Sequence, residues 1–244
     1  MKYGVQLYSL REIGEKDGLE AILKIVSEAG YEGVEFAGFY GESPENVKRL
    51  LEKYNLKAVS AHISAGEVEK NLPYVKTLGL KYVFTAGIWG DAWEDENYPN
   101  TVAEHKKALK ILNDIGVEFG YHNHSHEFAN GQDLIKKITD DVPGMRVELD
   151  LCWATYGGRN VVETMKEYGD KMLCIHIKEL SKDAKGNAPI VGEGAVDMYG
   201  AFKTANEQNL EWGILEVEGY GMPEIDYLKK SLENIKKIDN GEQI

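Results

Sequence analysis

The sequence has little of what several classes of protein require. Only 2 of its 244 residues are cysteines, too few for a disulfide scaffold, so Cys152 and Cys174 are expected to be reduced thiols. No apolar segment approaches the roughly 20 residues of a membrane-spanning helix. The opening segment MKYGVQLYSLREIGEKDG lacks the long apolar core of a signal peptide. These absences argue against a membrane protein, and the cytoplasm is the expected location.

Basic residues are scarce as well. Lysine and arginine number 28 against 41 aspartates and glutamates, which gives a formal net charge of −13. Such a chain repels a phosphate backbone unless a basic patch compensates, and the sequence shows no such patch. A nucleic acid is therefore not an expected partner. A small-molecule substrate is expected, and the sequence leaves open whether the chain forms a homo-oligomer.

What the chain does contain is an alternation of strand and helix patterns from end to end. β-Branched and aromatic runs predict eight strands: Tyr3–Tyr8, Gly33–Ala37, Lys57–Ile63, Tyr82–Ala86, Glu118–His124, Arg146–Trp153, Leu173–Lys178 and Trp212–Val217. Amphipathic segments predict a helix after each strand: Leu19–Ala29, Pro44–Tyr54, Val68–Leu78, Val102–Ile115, Asp133–Ile138, Val161–Tyr168, Met198–Gln208 and Glu224–Ile238. Eight such units in about 250 residues predict an α/β fold, a (β/α)₈ TIM barrel, with residues 1–244 as a single domain. A doubly wound sheet would usually show a glycine-rich phosphate loop where this chain reads QLYSLRE.

Metal-ligand residue types gather on the later strands. Alternation along each strand places them on the inner face of the barrel, with aliphatic residues facing the helices. A barrel centre would not tolerate so many charges without a counter-ion, because each buried charge costs several kcal/mol. Four such residues fall one per strand on consecutive strands: His122, Asp150, His176 and Glu216. Two imidazoles and two carboxylates predict one divalent metal ion, with Mn²⁺, Zn²⁺ or Co²⁺ favoured over Mg²⁺.

The chain resembles the xylose isomerase-like TIM barrels, which include ketose 3-epimerases, hydroxypyruvate isomerases, inosose dehydratases and type-2 AP endonucleases. The resemblance covers essentially the whole chain and rests on motifs that follow in family order: GVQLYSLR, GYEGVEFAGFYG, AVSAHIS, GYHNHSHEF, VELDLCW, CIHIKE, VGEG and GILEVEGYG. It implies that Asp150, His176 and Glu216 are metal ligands. One position departs from the epimerase pattern, because strand five carries His122 where epimerases have a ligand glutamate that also acts as a base. The surrounding YHNH segment is similar to the YHxH segment of inosose dehydratases.

Other inward-facing side chains surround the predicted metal centre. Glu35 and His62 match family positions that line the substrate cavity, and a structural hydrogen-bonding role is the alternative for each. Lys178 is predicted to stabilise an oxyanion or to act as an acid or base. The alternative for Lys178 is a salt bridge to Glu148 or Glu218.

The pocket around the substrate is predicted from residues near the strand ends. Glu127 could contact substrate or serve as a base, and His124 and Trp153 could form pocket walls. Trp89 and Trp93 lie in the long acidic connection Gly87–Asn100 and could stack on a sugar face. Glu218 completes the predicted substrate-binding set, which consists of Glu35, His124, Glu127, Trp153 and Glu218.

These residues predict a sugar isomerase or epimerase that acts on a small ketose or related polyol through a cis-enediolate. The metal would chelate and polarise the substrate carbonyl, Glu216 would remove the neighbouring proton, and Lys178 and His62 would stabilise charge or donate protons. If a β-hydroxyl leaves instead, the enzyme is a dehydratase or lyase on a keto-inositol or 3-keto-sugar, which is the second prediction. A DNA-repair nuclease is disfavoured because it would need a three-metal cluster and a basic face. A non-catalytic sugar-binding barrel is the remaining alternative.

Overall fold

Eight parallel strands form a closed barrel in the computed structural model, which describes residues 1–183 and 185–244. The strands follow one another in chain order, and β1 pairs with β8 to close the ring. Their bounds are β1 Lys2–Gln6, β2 Gly33–Phe36, β3 Lys57–His62, β4 Tyr82–Ala86, β5 Glu118–His122, β6 Arg146–Asp150, β7 Met172–Ile177 and β8 Trp212–Leu215. The predicted (β/α)₈ TIM barrel is confirmed.

Helices connect successive strands around the outside of the barrel. They are α1 Arg11–Asp17, α2 Leu19–Ala29, α3 Pro44–Lys53, α4 Val68–Leu78, α5 Tyr98–Asn113, α6 Leu134–Asp141, α7 Leu151–Tyr156, α8 Val161–Tyr168, α9 Met198–Glu207 and α10 Glu224–Asp239. The short helices α1 and α7 have no counterpart in the sequence prediction. Among the described residues, no helix combines the length and apolarity needed to cross a membrane.

The sixth strand ends earlier than predicted. The run Arg146–Trp153 was expected to be one strand, but β6 stops at Asp150 and α7 begins at the next residue. The cause is helix capping, because the Oδ1 atom of Asp150 accepts a hydrogen bond of 2.7 Å from the backbone N–H of Trp153. Cys152 therefore lies on α7 and not on the strand face beside Asp150. Both cysteines are buried free thiols, as expected.

An apolar floor closes the inside of the barrel below the polar residues. It consists of buried side chains from four strands: Val59, Phe84, Cys174, Trp212 and Ile214. Gly120 on β5 makes room for this floor, since a Cβ atom there would lie 2.7 Å from the Phe84 ring. His122 follows two residues later on the same face of β5, so the polar residues begin directly above the floor.

Candidate metal centre and active site

The four predicted metal ligands converge at the carboxyl-terminal mouth of the barrel. His122 and Asp150 end their strands, His176 pairs in register with Asp150, and Glu216 follows β8 directly. All four side chains are buried, and one potential ligand atom from each lies within 4.8 Å of those of the others. The sequence argument from strand alternation therefore brings together a set of donors that could hold one ion.

The carboxylate of Asp150 fits a cation at this place. Its Oδ1 atom accepts from Trp153, whereas the buried Oδ2 atom has no hydrogen-bond partner among the described residues. Burial raises the pKa of this carboxyl to about 7. A buried carboxylate oxygen without a hydrogen bond is costly, even with the Lys178 ammonium group 4.0 Å away, and a metal ion would remove that cost. Two imidazoles and two carboxylates suit Mn²⁺, Zn²⁺ or Co²⁺ in coordination chemistry.

A second polar layer lies directly beneath the four candidate ligands, and Glu148 is at its centre. Its Oε2 atom lies 2.8 Å from His62 Nε2, 3.1 Å from His122 Nδ1 and 3.2 Å from His176 Nε2. Its Oε1 atom accepts from the thiol of Cys174 at 2.9 Å. One fully buried carboxylate therefore contacts both candidate ligand imidazoles. Sequence analysis named Glu148 only as an alternative ion-pair partner of Lys178 and gave it no role at the metal centre.

Glu35 belongs to this lower layer as well. Its Oε1 atom lies 2.6 Å from His176 Nε2 and accepts from Gln6 at 2.7 Å, while its Oε2 atom accepts from Ser60 at 2.6 Å. The residue is fully buried. With both oxygens engaged beneath the ligands, the geometry favours the structural hydrogen-bonding role of Glu35 over the predicted substrate contact.

His62 connects the lower layer with the mouth of the barrel. Its Nε2 atom contacts Glu148 at 2.8 Å and Glu35 at 3.0 Å, while its ring lines the cavity above the candidate ligands. Burial opposes protonation of this imidazole, but the two carboxylates outweigh burial and raise its pKa to about 10. A cationic His62 at the cavity wall can stabilise negative charge on a substrate oxygen.

Lys178 sits beside the candidate metal centre. Its Nζ atom lies 3.3 Å from Glu216 and 2.5 Å from Glu218, and it lies 4.5 Å above the Trp153 ring. The predicted alternative for Lys178, a salt bridge to Glu148 or Glu218, is present with Glu218. Burial disfavours the charge of Lys178, but the neighbouring carboxylates raise its pKa. In turn, Lys178 and His176 hold the pKa of Glu216 well below its usual range, against the effect of burial.

A cavity of about 420 Å³ opens above the candidate ligands. Its lining includes several predicted site residues: His62, His122, His124, Glu216 and Glu218. Trp89 also lines the cavity and is 57% exposed, with its ring 4.8 Å from that of His124. Trp93 does not reach the cavity lining, because its Nε1 atom donates to the Ile88 carbonyl and its ring stacks on Tyr98. The stacking role predicted for Trp93 is therefore not supported.

Glu127 holds the segment that follows β5. The residue is fully buried, accepts from the Tyr121 hydroxyl at 2.7 Å and accepts from the backbone N–H of His124 at 2.8 Å. Neither interaction points into the cavity, whose lining does not include Glu127. These contacts favour a structural role for Glu127, which fixes the backbone of His124, over the predicted role as a substrate contact or base.

Another buried glutamate, Glu179, which sequence analysis missed, organises the loop after β7. Glu179 accepts hydrogen bonds from the backbone N–H groups of Leu180, Gly192 and Val196 at 3.0, 2.9 and 3.0 Å. The VGEG motif therefore forms a tight loop around this carboxylate, consistent with the left-handed backbone of Gly192 at φ +86°. The signal was present in the CIHIKE motif, where a glutamate directly follows Lys178.

Comparison with known proteins identifies the family of this chain. The sequence model of the xylose isomerase-like TIM-barrel family matches residues 23–238. The chain therefore belongs to the xylose isomerase-like TIM-barrel family.

Individual relatives are distant. An inosose dehydratase of Geobacillus kaustophilus is 22% identical, and the match covers 84% of this chain and 82% of that protein. A sugar phosphate isomerase/epimerase from Parabacteroides distasonis superposes with a TM-score of 0.78 at 21% identity, covering 97% of this chain and 98% of that one. A D-allulose 3-epimerase from Methylomonas sp. superposes with a TM-score of 0.77 at 19% identity, covering 97% and 96%. At these identities the structural matches establish the fold alone.

Proposed function

We propose that this protein is a metal-dependent enzyme that removes the proton next to the carbonyl of a small polyhydroxylated ketone and then eliminates a β-hydroxyl group. The observation that carries this proposal is the placement of the Lys178 ammonium group 3.3 Å from Glu216, at the edge of the candidate metal centre. A base and an acid in direct contact, with the base on the cavity lining, suit an elimination, in which one proton is taken and a leaving group is protonated.

The candidate metal centre supports the first step. His122, Asp150, His176 and Glu216 would hold the ion, which when bound supplies a Lewis acid that polarises the substrate carbonyl. Glu216 lines the cavity and is kept anionic by Lys178 and His176, so its carboxylate is free to accept a proton, and we assign it the α-proton. His62, on the cavity wall, stabilises the negative charge that develops on the substrate oxygen.

Lys178 supports the second step. It carries protons on a nitrogen that contacts Glu216 on one side and Glu218 on the other. We assign it the role of the acid that protonates the departing hydroxyl group. Water formed in this way is a better leaving group than hydroxide. The relatives named as inosose dehydratases also favour elimination over isomerisation. The sequence alone had favoured isomerisation or epimerisation, so the order of the two proposals is reversed.

Isomerisation or epimerisation is the second candidate, and one observation favours it. His62 and His124 also line the cavity, and the buried Nδ1 atom of His124 has no partner among the described residues. An imidazole could return a proton to a second position or face. Against epimerisation, the described residues that line the cavity include only two carboxylates, Glu216 and Glu218, and both follow β8. A symmetric mechanism would need a second carboxylate base from a strand other than β8, and this lining does not include one.

The proposal is tested by incubating metal-loaded protein in D₂O with a panel of keto-inositols, 3-keto-sugars and ketoses. NMR spectroscopy follows deuterium exchange at the α-carbon and identifies products. We expect exchange together with a dehydrated enone-type product from at least one cyclic ketone. Exchange that yields only epimers or isomers would favour the second candidate, and no exchange with any ketone would refute both.

A further inference from the structure

A second cavity adjoins the one above the candidate metal centre. It measures about 330 Å³ and lies between α7 and the loop after β7. Trp153 and Tyr156 provide an aromatic wall, with ring centroids 6.0 Å apart and an interplanar angle of 83°. Ser181 and Asn187 add polar groups. Tyr156 is 55% exposed, so its ring is available to a ligand.

Lys178 and Glu218 form the boundary between the two cavities. Glu218 lines both of them, and Lys178 lines the second. The ammonium group of Lys178 lies between Glu216, which lines the first cavity, and Trp153, which lines the second. A group that leaves the substrate past Lys178 therefore passes toward the aromatic wall.

The sizes of the two cavities suit a substrate in two parts. Small-molecule sites typically span roughly 300–1,000 Å³, and each cavity alone lies near the lower end of that range. The first cavity has room for one keto-sugar ring above the candidate ligands. The second has room for another ring-sized group, and nothing in the dehydration of a free keto-sugar would use it.

We propose that the substrate is a keto-glycoside, a cyclic keto-sugar with an O-linked alcohol, and that the second cavity binds this alcohol. The inference rests on the proposed function and changes the leaving group from a hydroxyl group, which departs as water, to an alkoxy group, which departs as the alcohol. The ketone must then stand two carbons from the anomeric carbon, at C3 of a pyranose, so that the leaving group is β to the carbonyl.

The reaction balances without an oxidant, a reductant or water. Glu216 accepts the proton from C2, the C2–H electron pair forms the C1=C2 double bond, and the bond between C1 and the glycosidic oxygen breaks. Lys178 gives a proton to the departing oxygen, so an unsaturated keto-sugar and a neutral alcohol are released. Transfer of the proton from Glu216 back to Lys178, across 3.3 Å, restores both groups.

The test uses metal-loaded protein with the α- and β-anomers of 4-nitrophenyl 3-ketoglucopyranoside, alongside free 3-ketoglucose. Release of 4-nitrophenol is read by absorbance against the rate without enzyme, and deuterium exchange at C2 is read by NMR. We expect 4-nitrophenol release from one anomer. Tyr156→Ala should raise KM for that glycoside roughly 2- to 12-fold, the range for loss of an aromatic contact, and should leave exchange of free 3-ketoglucose unchanged.

Tyr8→Ala is the matched control, because Tyr8 is also an exposed tyrosine but lines only the first cavity of the two. It should change KM for both substrates alike. Exchange of free 3-ketoglucose without 4-nitrophenol release would overturn the keto-glycoside inference and leave the proposed function standing. An equal effect of Tyr156→Ala on both substrates would overturn the assignment of the second cavity. No exchange with any ketone would remove both proposals.

Discussion

Replacement of Glu148 by glutamine tests whether the layer beneath the candidate ligands positions them for metal. One oxygen of Glu148 lies within 3.2 Å of both candidate ligand histidines and of His62. Glu148→Gln keeps the shape of the side chain and removes its charge. An amide still accepts a hydrogen bond from one imidazole, but it no longer attracts three of them.

The expected loss is a 10- to 100-fold weaker metal Kd, the range for removing a hydrogen-bond partner of metal-bound histidines. This corresponds to about 1.4–2.8 kcal/mol of binding free energy. The value agrees with the ~1.5–3 kcal/mol of a hydrogen bond to a charged group. Glu35 still contacts His176 at 2.6 Å, so the loss should fall on His122 in particular and should not abolish binding.

The assay titrates metal-free protein with Co²⁺ and follows its visible absorption, while competition with a chelator gives the Kd of Zn²⁺. Thermal unfolding of the metal-free protein is measured in parallel, because a purely structural role would lower its Tm and leave the metal Kd unchanged. Glu127→Gln is the control, since Glu127 is equally buried but lies outside both buried clusters whose donor atoms could hold an ion, namely the four candidate ligands and the overlapping set of His62, His122, Glu148 and His176. Equal metal affinity in Glu148→Gln and the parent protein, or equal weakening in the control, would refute the positioning role.

Three further variants and one treatment test the site. Asp150→Ala should lose bound metal and nearly all turnover, as measured by elemental analysis and the exchange assay, and retention of both would contradict the ligand assignment. Glu216→Gln should keep much of the metal but lose kcat by about 10²–10⁴-fold, the range for a general base; a kcat close to that of the parent would make Glu216 a ligand only. Lys178→Met should preserve α-proton exchange while blocking the elimination product, whereas parallel loss of exchange and an isomerised product would favour isomerisation. Removal of bound metal with a chelator should lower Tm, because an ion that binds only the folded state stabilises it, and an unchanged Tm after verified removal would argue against a buried ion.

Strand alternation was sufficient to predict the four converging side chains. His122, Asp150 and His176 were placed on the inner face because every second residue of a strand points the same way. Alternation does not reveal depth along the barrel axis. Glu35 was assigned to substrate from its match to a family position and Glu127 from its place just after the fifth strand, but both are buried away from the cavity.

Other features of the site depend on tertiary geometry that a local pattern does not contain. The register between β6 and β7 shifts at the position between Val147 and Glu148. This shift affects which residues lie opposite one another on the two strands. The contacts of one Glu148 oxygen with three imidazoles from three different strands likewise follow from the closed barrel and not from spacing. The start of α7 was missed because Asp150, read only as a ligand, also acts as a helix cap.

The charges at the mouth of the barrel show how Lys178 and a bound divalent ion would act on the same carboxylates. Asp150 and Glu216 bring two negative charges into a buried site, and Lys178 lies 4.0 and 3.3 Å from them. Lys178 also pairs with Glu218 at 2.5 Å, so it does not balance the buried carboxylates by itself. With His122 and His176 neutral, as metal ligation requires, these three carboxylates and one lysine sum to two negative charges, which would repel an enolate. A divalent ion would bring that sum to zero, and the proposed centre would then no longer oppose the negative charge that develops on the substrate oxygen.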